Sequence, residues 1–447
     1  MERTSILSNL CKNYKIIQDK IHGMMNISQL AMIIIDTPLF QRLRNLKQLG
    51  VCYLVFPNAV HTRFEHSLGA YHLAKKLLNN LIINSDIISL SEPLKNITYL
   101  HEYFDNNSYI LDDYIRELIC IAALCHDLGH GPFSHIFDDK FIPMISDKYN
   151  IDLVKHHEYR SCVLLRTIIK STSLSNLITD DEIEFMCSLI NPDKNKHQGY
   201  IYQIVSNTLN GLDVDKYDYL VRDSMSLGIS IAFSFDKLIN NAKVVNNKIV
   251  FPKHIDSDII NLFTTRHYMH RKIYSHKVVI SIDILICQLM QLLEPELNIG
   301  RLLENLDENF INLTDDDILI RAKYSSNPDI KRLINNIITH NFYPILYSTT
   351  LDYSENVDIY LAKLFADKNI TGDKLITCYH NIGYTNSKNP LHNIYVYTNK
   401  DNKLINLIDF NITKLLPNQY QEKILMIFYN GNKHDSEFIE LRDLFQV

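Results

Sequence analysis

Apolar residues recur at helical spacing over most of the first 300 positions of this chain. The periodicity predicts helices over residues 37–49, 63–81, 112–128, 201–225 and, as one or two helices, 259–293. Thr37 and Pro38 are typical of the start of the first of these helices. Segment 112–128 is apolar nearly all round, which indicates a central buried helix, and it ends at Gly129.

The pattern changes after about residue 300. Short β-rich runs at 343–347, 393–397 and 424–428 alternate there with helical segments. We therefore predict a mainly α fold, with a helical core at residues 1–300 and a smaller C-terminal α+β lobe at 301–447. The lobe is a candidate for regulation or oligomerisation.

Composition narrows the class of protein. Apolar residues make up 46% and charged residues 21% of the 447 positions, as in ordinary soluble globular proteins. The net charge of -6 argues against a surface that coats nucleic acid, although a local basic pocket and nucleic-acid binding stay open. The eight cysteines form no CxxC pair, and neither a signal peptide nor a bilayer-length apolar run is visible. These features predict an intracellular protein, of cytoplasm or nucleus, with no membrane segment.

Four residues are candidate metal ligands: His66, the adjacent pair His126 and Asp127, and Asp215. Each lies in a predicted helix, and the pair at 126–127 closes the buried one. Burying an unpaired carboxylate there would cost several kcal/mol, and a metal ion would compensate it. Two imidazoles and two carboxylates suit a divalent transition metal and leave positions open for water and substrate. On chemistry alone, ordinary core or surface histidines remain the competing interpretation.

Three segments resemble the HD-domain phosphohydrolases, and among them the animal SAM- and HD-domain-containing deoxynucleoside triphosphate triphosphohydrolases. They are residues 63–69 (RFEHSLG), 126–135 (HDLGHGPFSH) and 211–219 (GLDVDKYDY). The likeness extends to 33–50 and 266–278 and, more faintly, into the C-terminal lobe. It implies that the four candidate ligands hold iron, manganese or zinc, with magnesium on the nucleotide phosphates as a further option. We expect the N-terminal SAM domain of that family to be absent.

The resemblance also implies a reaction, in which water attacks the α-phosphorus of a deoxynucleoside triphosphate (dNTP) and releases a deoxynucleoside and inorganic triphosphate. The implied catalytic residues are His130, His135, Asp138 and His157, with His157 as the acid for the leaving group. The implied substrate-binding residues are Gln48, Leu49, Arg63, Lys216, Tyr219, Asp223, Arg266, His270 and Tyr274. Among them, Gln48 and Asp223 would bind the 3′-hydroxyl, while Leu49 and Tyr274 would crowd the 2′ carbon. The preferred base is not predicted, and Ser275 stands where the animal family has glutamine.

Activator sites are implied less completely. The positions that match nucleotide-binding residues between subunits are Lys15, Asp36, Gln41, Arg44, Val55, Phe56, Lys237, His276 and Lys277. Gln18 and Lys237 depart from the family pattern, and Asn406 and Asp409 stand where it has basic residues, which weakens a polyphosphate clasp. We therefore expect GTP or dNTP activation that is weak or not obligatory, in a homodimer or homotetramer.

Two other classes of function stay open at this point. One is an HD phosphodiesterase or nuclease that acts on another phosphate ester. Tyr274 with Leu49 argues against it, because these residues would close a mononucleotide pocket. The other is a nucleotide-sensing or RNA-binding scaffold, which would need neither the metal ligands nor His157.

Overall fold

The computed structural model describes residues 2–104, 108–149, 151, 156–306, 308–368, 370, 372–385, 389–398, 404–409 and 419–445. In the first half of these residues the helices are α1 (Glu2–Lys12), α2 (Gln29–Ile35), α3 (Pro38–Gln41), α4 (Arg63–Asn84), α5 (Ile87–Ser91), α6 (His101–Phe104), α7 (Asp113–Cys125), α8 (Ile142–Ile145), α9 (His157–Ser171), α10 (Asp180–Ile190) and α11 (Val214–Ser226). The later helices are α12 (Phe235–Asn241), α13 (Asp256–Met269), α14 (Lys277–Leu297), α15 (Ile299–Asn305), α16 (Asp315–Tyr324), α17 (Pro328–Ile338), α18 (Val357–Lys368) and α19 (Ser436–Phe445).

The strands are shorter and fewer. They are β1 (Tyr14–Asp19), β2 (Gly23–Ser28), β3 (Lys243–Val245), β4 (Lys248–Pro252), β5 (Ile345–Asp352), β6 (Leu375–Gly383), β7 (Tyr395–Tyr397), β8 (Leu404–Asn406) and β9 (Gln421–Tyr429). Single π-helical turns span Phe137–Phe141 and His270–Tyr274. The predicted mainly α fold with a smaller C-terminal α+β part is confirmed.

Helix α7 lies at the centre of the core. Every residue from Leu118 to Cys125 is buried, as its continuous apolar pattern predicted. Asp112 begins the helix by accepting hydrogen bonds from the backbone N–H groups of Tyr114 and Ile115. Helices α4 and α10 pack against α7, and α11 packs against α4. This arrangement brings the C-terminal end of α7 and the N-terminal end of α11 close to the first turn of α4.

Two predicted helices are wrong in extent. Segment 201–225 is not one helix, because only a 3₁₀ turn (Tyr200–Gln203) and, after an irregular stretch, α11 are helical. Gly211 in that stretch has φ +74°, and Asp213 caps α11 through the N–H of Lys216. Segment 37–49 begins at Thr37 as predicted but becomes a 3₁₀ helix at Arg42–Asn45.

The C-terminal part contains an antiparallel sheet of order β5-β9-β6. Its inner face packs on Ile280 of α14 through Ile382, Ile424, Met426 and Phe428. A second sheet crosses the predicted boundary at residue 300, because β4 pairs in parallel with β7. The boundary itself stays a prediction.

One helix among the described residues, α14, is long and apolar enough to cross a membrane. Of its most apolar window, 67% is buried inside the fold, as in a core helix.

Candidate active site

Three helix ends place the four predicted metal ligands. Thr62 and Glu65 form a capping box that begins α4, so His66 lies in the first turn and is fully buried. His126 caps the C-terminal end of α7 and Asp127 follows it. Asp215 lies in the first turn of α11.

Asp127 and Asp215 both approach the neighbouring imidazoles of His66 and His126. Nε2 of His66 lies 3.2 Å from Nε2 of His126. Oδ1 of Asp215 lies 3.3 Å from Nε2 of His66 and 3.4 Å from Nε2 of His126. Asp127 contributes Oδ2 at 3.6 Å from His66 and Oδ1 at 3.4 Å from His126. An ion about 2.1 Å from each ligand atom would give separations of about 3.0 to 3.4 Å between neighbouring ligands, so the spacing fits a bound metal.

The hydrogen bonds of the two imidazoles fit the same interpretation. Nδ1 of His66 donates to Oδ2 of Asp218 at 2.8 Å, and Nδ1 of His126 donates to the carbonyl of Ala123 at 2.7 Å. Each Nε2 therefore presents its lone pair to the centre. Burial lowers the pKa of His66, but hydrogen bonds to Asp215 and Asp218 outweigh it and raise the pKa to about 10. The cluster thus favours positive charge at its centre.

A cavity of about 630 Å³ opens beside this cluster. Four cationic side chains line it: Arg63, Lys140, Lys216 and Arg266. Arg63 contacts Asp127 and donates from Nε to the hydroxyl of Ser134 at 3.0 Å, which holds its guanidinium against the cluster. Nη1 of Arg266 lies 2.7 Å from Nε2 of His270. Burial and then Arg266 lower the pKa of His270 well below its usual value, so neutral His270 accepts this hydrogen bond.

The predicted catalytic histidines stand on the same wall. The rings of His130 and His157 stack at 3.7 Å between centroids, and Nδ1 of His157 donates to Oδ2 of Asp138 at 2.8 Å. Burial lowers the pKa of His157, but Asp138 and then Glu158 outweigh it and raise the pKa. Burial, Arg63 and His157 lower the pKa of His130 well below its usual value. The two stacked imidazoles therefore differ in proton affinity, which is raised at His157 and lowered at His130.

His135 lies at the edge of this wall. Its side chain is 68% exposed, and its ring centroid lies 5.4 Å from that of His130.

Another part of the cavity lining is built around the carboxylate of Asp223. Tyr274 donates its hydroxyl to Oδ2 of Asp223 at 2.6 Å, and His61 holds Oδ1 of the same carboxylate at 2.7 Å. Oε1 of Gln48 is buried without a hydrogen-bond partner. Leu49 and Tyr219 complete this part of the lining. An unpartnered buried acceptor is costly, so Oε1 of Gln48 fits a ligand hydroxyl.

Comparison with known proteins agrees with this geometry. The family model of the HD domain matches residues 63–240. An HD domain-containing protein of Acanthamoeba polyphaga mimivirus is 40% identical over 83% of this chain and 77% of its own length. The deoxynucleoside triphosphate triphosphohydrolase SAMHD1 homolog of Dictyostelium discoideum is 36% identical over 93% of this chain and 77% of its own length. The human deoxynucleoside triphosphate triphosphohydrolase SAMHD1 is 31% identical over 93% of this chain and 70% of its own length.

This chain belongs to the SAMHD1 family of HD-domain proteins. The family resemblance of the three sequence segments is thereby confirmed.

The residues that match activator sites of the SAMHD1 family lie outside the cavity. Lys15 is on β1 and exposed, while Asp36, Gln41 and Arg44 cluster around α3. Nε of Arg44 donates to Oε1 of Gln41 at 2.7 Å. A second group lies near the start of α14, where the rings of Phe56 and His276 meet at 5.6 Å beside Val55 and Lys277. Lys237 is on α12 and pairs with Asp258 at 3.2 Å. Their roles stay predictions.

Several residues around the cavity were not predicted from the sequence. The hydroxyl of Ser161 donates to the carbonyl of His126 at 2.6 Å and accepts the N–H of Gly129 at 2.8 Å. Nε of Arg160 donates to the carbonyl of Gly129 at 2.7 Å. Both lie one helical turn after His157, so their spacing on a predicted helix is the sequence feature that indicates them. Asp218, three residues after Asp215, is indicated in the same way.

Proposed function

We propose that this protein is a metal-dependent hydrolase that converts dNTPs to deoxynucleosides and inorganic triphosphate. The observation that carries the proposal is one cavity that is lined by His126, Asp127 and Asp215 of the cluster, by four cationic side chains, and by Gln48 and Tyr274. Relatives of this chain that bear the name deoxynucleoside triphosphate triphosphohydrolase support the same substrate class.

His66, His126, Asp127 and Asp215 would hold the ion, which we propose to be iron, manganese or zinc. A bound ion of this kind supplies Lewis acidity at the α-phosphate and lowers the pKa of a nearby water. Outside the cluster, Arg63, Lys216 and Arg266 bind the negative charge of the triphosphate, with magnesium as an additional counterion. Because these cations are held by Asp127, Asp213 and the carbonyl of Tyr384, they are oriented before the substrate arrives.

His157 is the acid that protonates the 5′ oxygen of the leaving deoxynucleoside. Hydrogen bonding to Asp138 raises its pKa, which favours the protonated ring that an acid needs, and Asp138 also fixes the orientation of that ring. Arg160 contacts the other oxygen of Asp138 and keeps it charged. Neutral His130, stacked on His157, completes the wall, and His135 lies at the entrance.

The sugar end selects against ribose. Gln48 and Asp223 bind the 3′-hydroxyl, and Leu49 with Tyr274 occupies the space beside the 2′ carbon. Tyr274 donates its only hydroxyl hydrogen to Asp223, so it has none to offer a 2′-hydroxyl, whose oxygen would be buried without a donor. Such a group costs about 1–3 kcal/mol, which corresponds to a preference of about 5- to 150-fold for deoxyribose.

Regulation is weaker than in the animal family. GTP or a dNTP would bind near Asp36, Gln41 and Arg44 in a homodimer or homotetramer, and activity would not require it. Arg44 fits this role because its guanidinium lies over the ring of Phe64 at 3.5 Å and is exposed on its outer side.

The experiment that tests the function is product analysis. Protein loaded with Mn²⁺ is incubated with dATP or ATP, with and without GTP, and the products are separated by ion chromatography. We expect deoxyadenosine and inorganic triphosphate from dATP, slower turnover of ATP, and loss of activity in the Asp127→Asn variant. Formation of dAMP and pyrophosphate, or turnover of ATP at the rate of dATP, would refute the proposal.

A further inference from the structure

The carboxylate of Asp218 links the candidate metal ligand His66 to three other donors. Oδ2 accepts from Nδ1 of His66 and from Nε of Arg222, each at 2.8 Å. Oδ1 accepts from Nε2 of His22 at 2.6 Å and from Nη2 of Arg222 at 3.0 Å. Asp218 is fully buried, so these donors replace water around its charge. The orientation of the carboxylate, and with it the tilt of the His66 ring, therefore depends on His22 and Arg222.

His22 does not belong to the helical core. It lies in the turn between β1 and β2, the N-terminal hairpin (residues 14–28), whose strands pair from Tyr14 with Ser28 to Asp19 with Gly23. Despite its place in a turn, the side chain of His22 is only 1% exposed. Its ring is packed between His72 and Phe235, at centroid distances of 5.2 and 5.5 Å.

The hairpin turn is attached to the same network at a second point. Oδ1 of Asp19 accepts the backbone N–H groups of Ile21 and His22, at 2.8 and 2.9 Å, and so fixes the turn. Oδ2 of Asp19 accepts from Nη1 of Arg222 at 2.9 Å. Arg222 thus binds Asp218 through Nε and Nη2 and Asp19 of the turn through Nη1. A displacement of the turn must therefore displace both Arg222 and Asp218.

On the side of α4 the network is tightly packed. A Cβ atom on Gly69 of α4 would lie 1.9 Å from Oδ1 of Asp218 and 2.7 Å from Nη2 of Arg222. Gly69 stands one helical turn after His66, so α4 is in contact with the carboxylate on the same side as the ligand. The position of the His66 ring is therefore set from two sides, by α4 and by the hairpin.

We propose that the turn of the N-terminal hairpin supports the metal centre, and that His22 and Asp19 are positioning residues for His66. The inference rests on the proposed function only in that the four-residue cluster holds a metal. Residues that orient a ligand from behind commonly change metal affinity about 10- to 100-fold when they are replaced. Loss of the His22 donor would let Asp218 rotate away from Nδ1 of His66 and weaken the metal site accordingly.

The test measures metal binding rather than catalysis. Apoprotein is titrated with Mn²⁺, the free ion is followed by electron paramagnetic resonance, and the wild-type chain is compared with His22→Leu, His22→Gln and Asp19→Asn. We expect His22→Leu to weaken Mn²⁺ binding about 10- to 100-fold. His22→Gln, which keeps an N–H donor, should recover part of the affinity, and Asp19→Asn should lose less than His22→Leu. Lys20→Ala, an exposed position of the same turn, is the matched control and should bind Mn²⁺ as the wild type does.

Other outcomes separate this inference from the proposed function. Wild-type Mn²⁺ affinity in folded His22→Leu, even with a lowered melting temperature, would show a structural role only and overturn the inference. Equal losses in His22→Leu and Lys20→Ala would overturn it as well. A wild-type chain that binds Mn²⁺ but releases no triphosphate from dATP would refute the proposed function. In that case the Mn²⁺ titration of His22→Leu would still decide whether His22 supports the metal site. A wild-type chain that binds none of Mn²⁺, Fe²⁺ and Zn²⁺ would refute both.

Discussion

Gly129 lies between the candidate metal ligands at the end of α7 and the proposed catalytic residues His130 and His157, and it is in contact with the backbone of α9. A Cβ atom at this position would lie 2.2 Å from the carbonyl oxygen of His157, 2.5 Å from the backbone nitrogen of Ser161 and 2.7 Å from Cβ of Arg160. Two of these atoms are backbone, so no rotation of a side chain can relieve the clash. The Gly129→Ala substitution must therefore move the start of α9 away from the end of α7.

The size of the movement follows from the contact distances. Ordinary van der Waals contact begins at 3.4 Å, so the separation from the His157 oxygen must grow from 2.2 to 3.4 Å, a displacement of about 1.2 Å. Because His157 is the first residue of α9, its imidazole moves with the helix. A misplacement of about 1 Å in a catalytic group can lower the rate about 100-fold. Overpacking of this kind also costs about 1–3 kcal/mol of stability.

The assay is steady-state hydrolysis of dATP, with inorganic triphosphate quantified, together with metal content and thermal unfolding. We expect kcat of Gly129→Ala to fall about 100-fold while KM changes little, because Arg63, Lys216 and Arg266 are not displaced. Gly372→Ala is the control, because a Cβ atom at Gly372 meets nothing within 4 Å. A kcat within about threefold of the wild-type value would refute the reasoning.

Two further predictions concern stability. Arg42 is buried and donates to the carbonyls of His130 at 2.7 Å and Leu313 at 2.8 Å. Because Arg42→Met leaves these carbonyls without a donor, we expect it to lower the free energy of unfolding, measured by urea titration, by about 3 kcal/mol. A loss below about 1 kcal/mol would contradict this prediction. Burial and then Lys140 lower the pKa of His380 to about 4 in the folded protein. The imidazole therefore binds a proton more tightly in the unfolded chain than in the folded one. As a result, the folded protein keeps its full stability above pH 6.5 and loses part of it as the pH falls toward 4. Between pH 7.5 and 5.5 the wild type should lose about 1 kcal/mol more than His380→Gln, and equal losses would contradict the prediction.

The sequence predicted α4 and α7 closely because their information is local. Apolar periodicity defined α7, and Asp112 marked its start within one residue. The error at 201–225 was also local, because Asn210 and Gly211 are turn residues that the apolar pattern outweighed. The N-terminal hairpin was not predicted, since β1 is largely exposed and lacks the alternation of a half-buried strand.

The residues of the candidate site also fall into two groups, those that the sequence indicated and those that it did not. His66, His126, Asp127 and Asp215 were indicated by their residue types and by family segments, and the structure brings them together. The support for these residues was harder to predict, because much of it comes from residues that lie far from them in the sequence. His22, for example, reaches Asp218 across 196 positions. Only the fold places such partners side by side.

The loop that carries the catalytic histidines shows why distant residues are needed. Phe133 and Ser134 have φ values of 58° and 61°, a left-handed conformation that costs non-glycine residues about 1–2 kcal/mol each. The backbone N–H of Phe133 donates to Oδ1 of Asp315 at 2.7 Å, and the hydroxyl of Ser134 donates to the carbonyl of Lys47 at 2.8 Å while it accepts from Arg63 at 3.0 Å. These hydrogen bonds offset the strain. Because Asp315 lies in the C-terminal part of the chain, the conformation of the catalytic loop depends on that part as well as on the helical core.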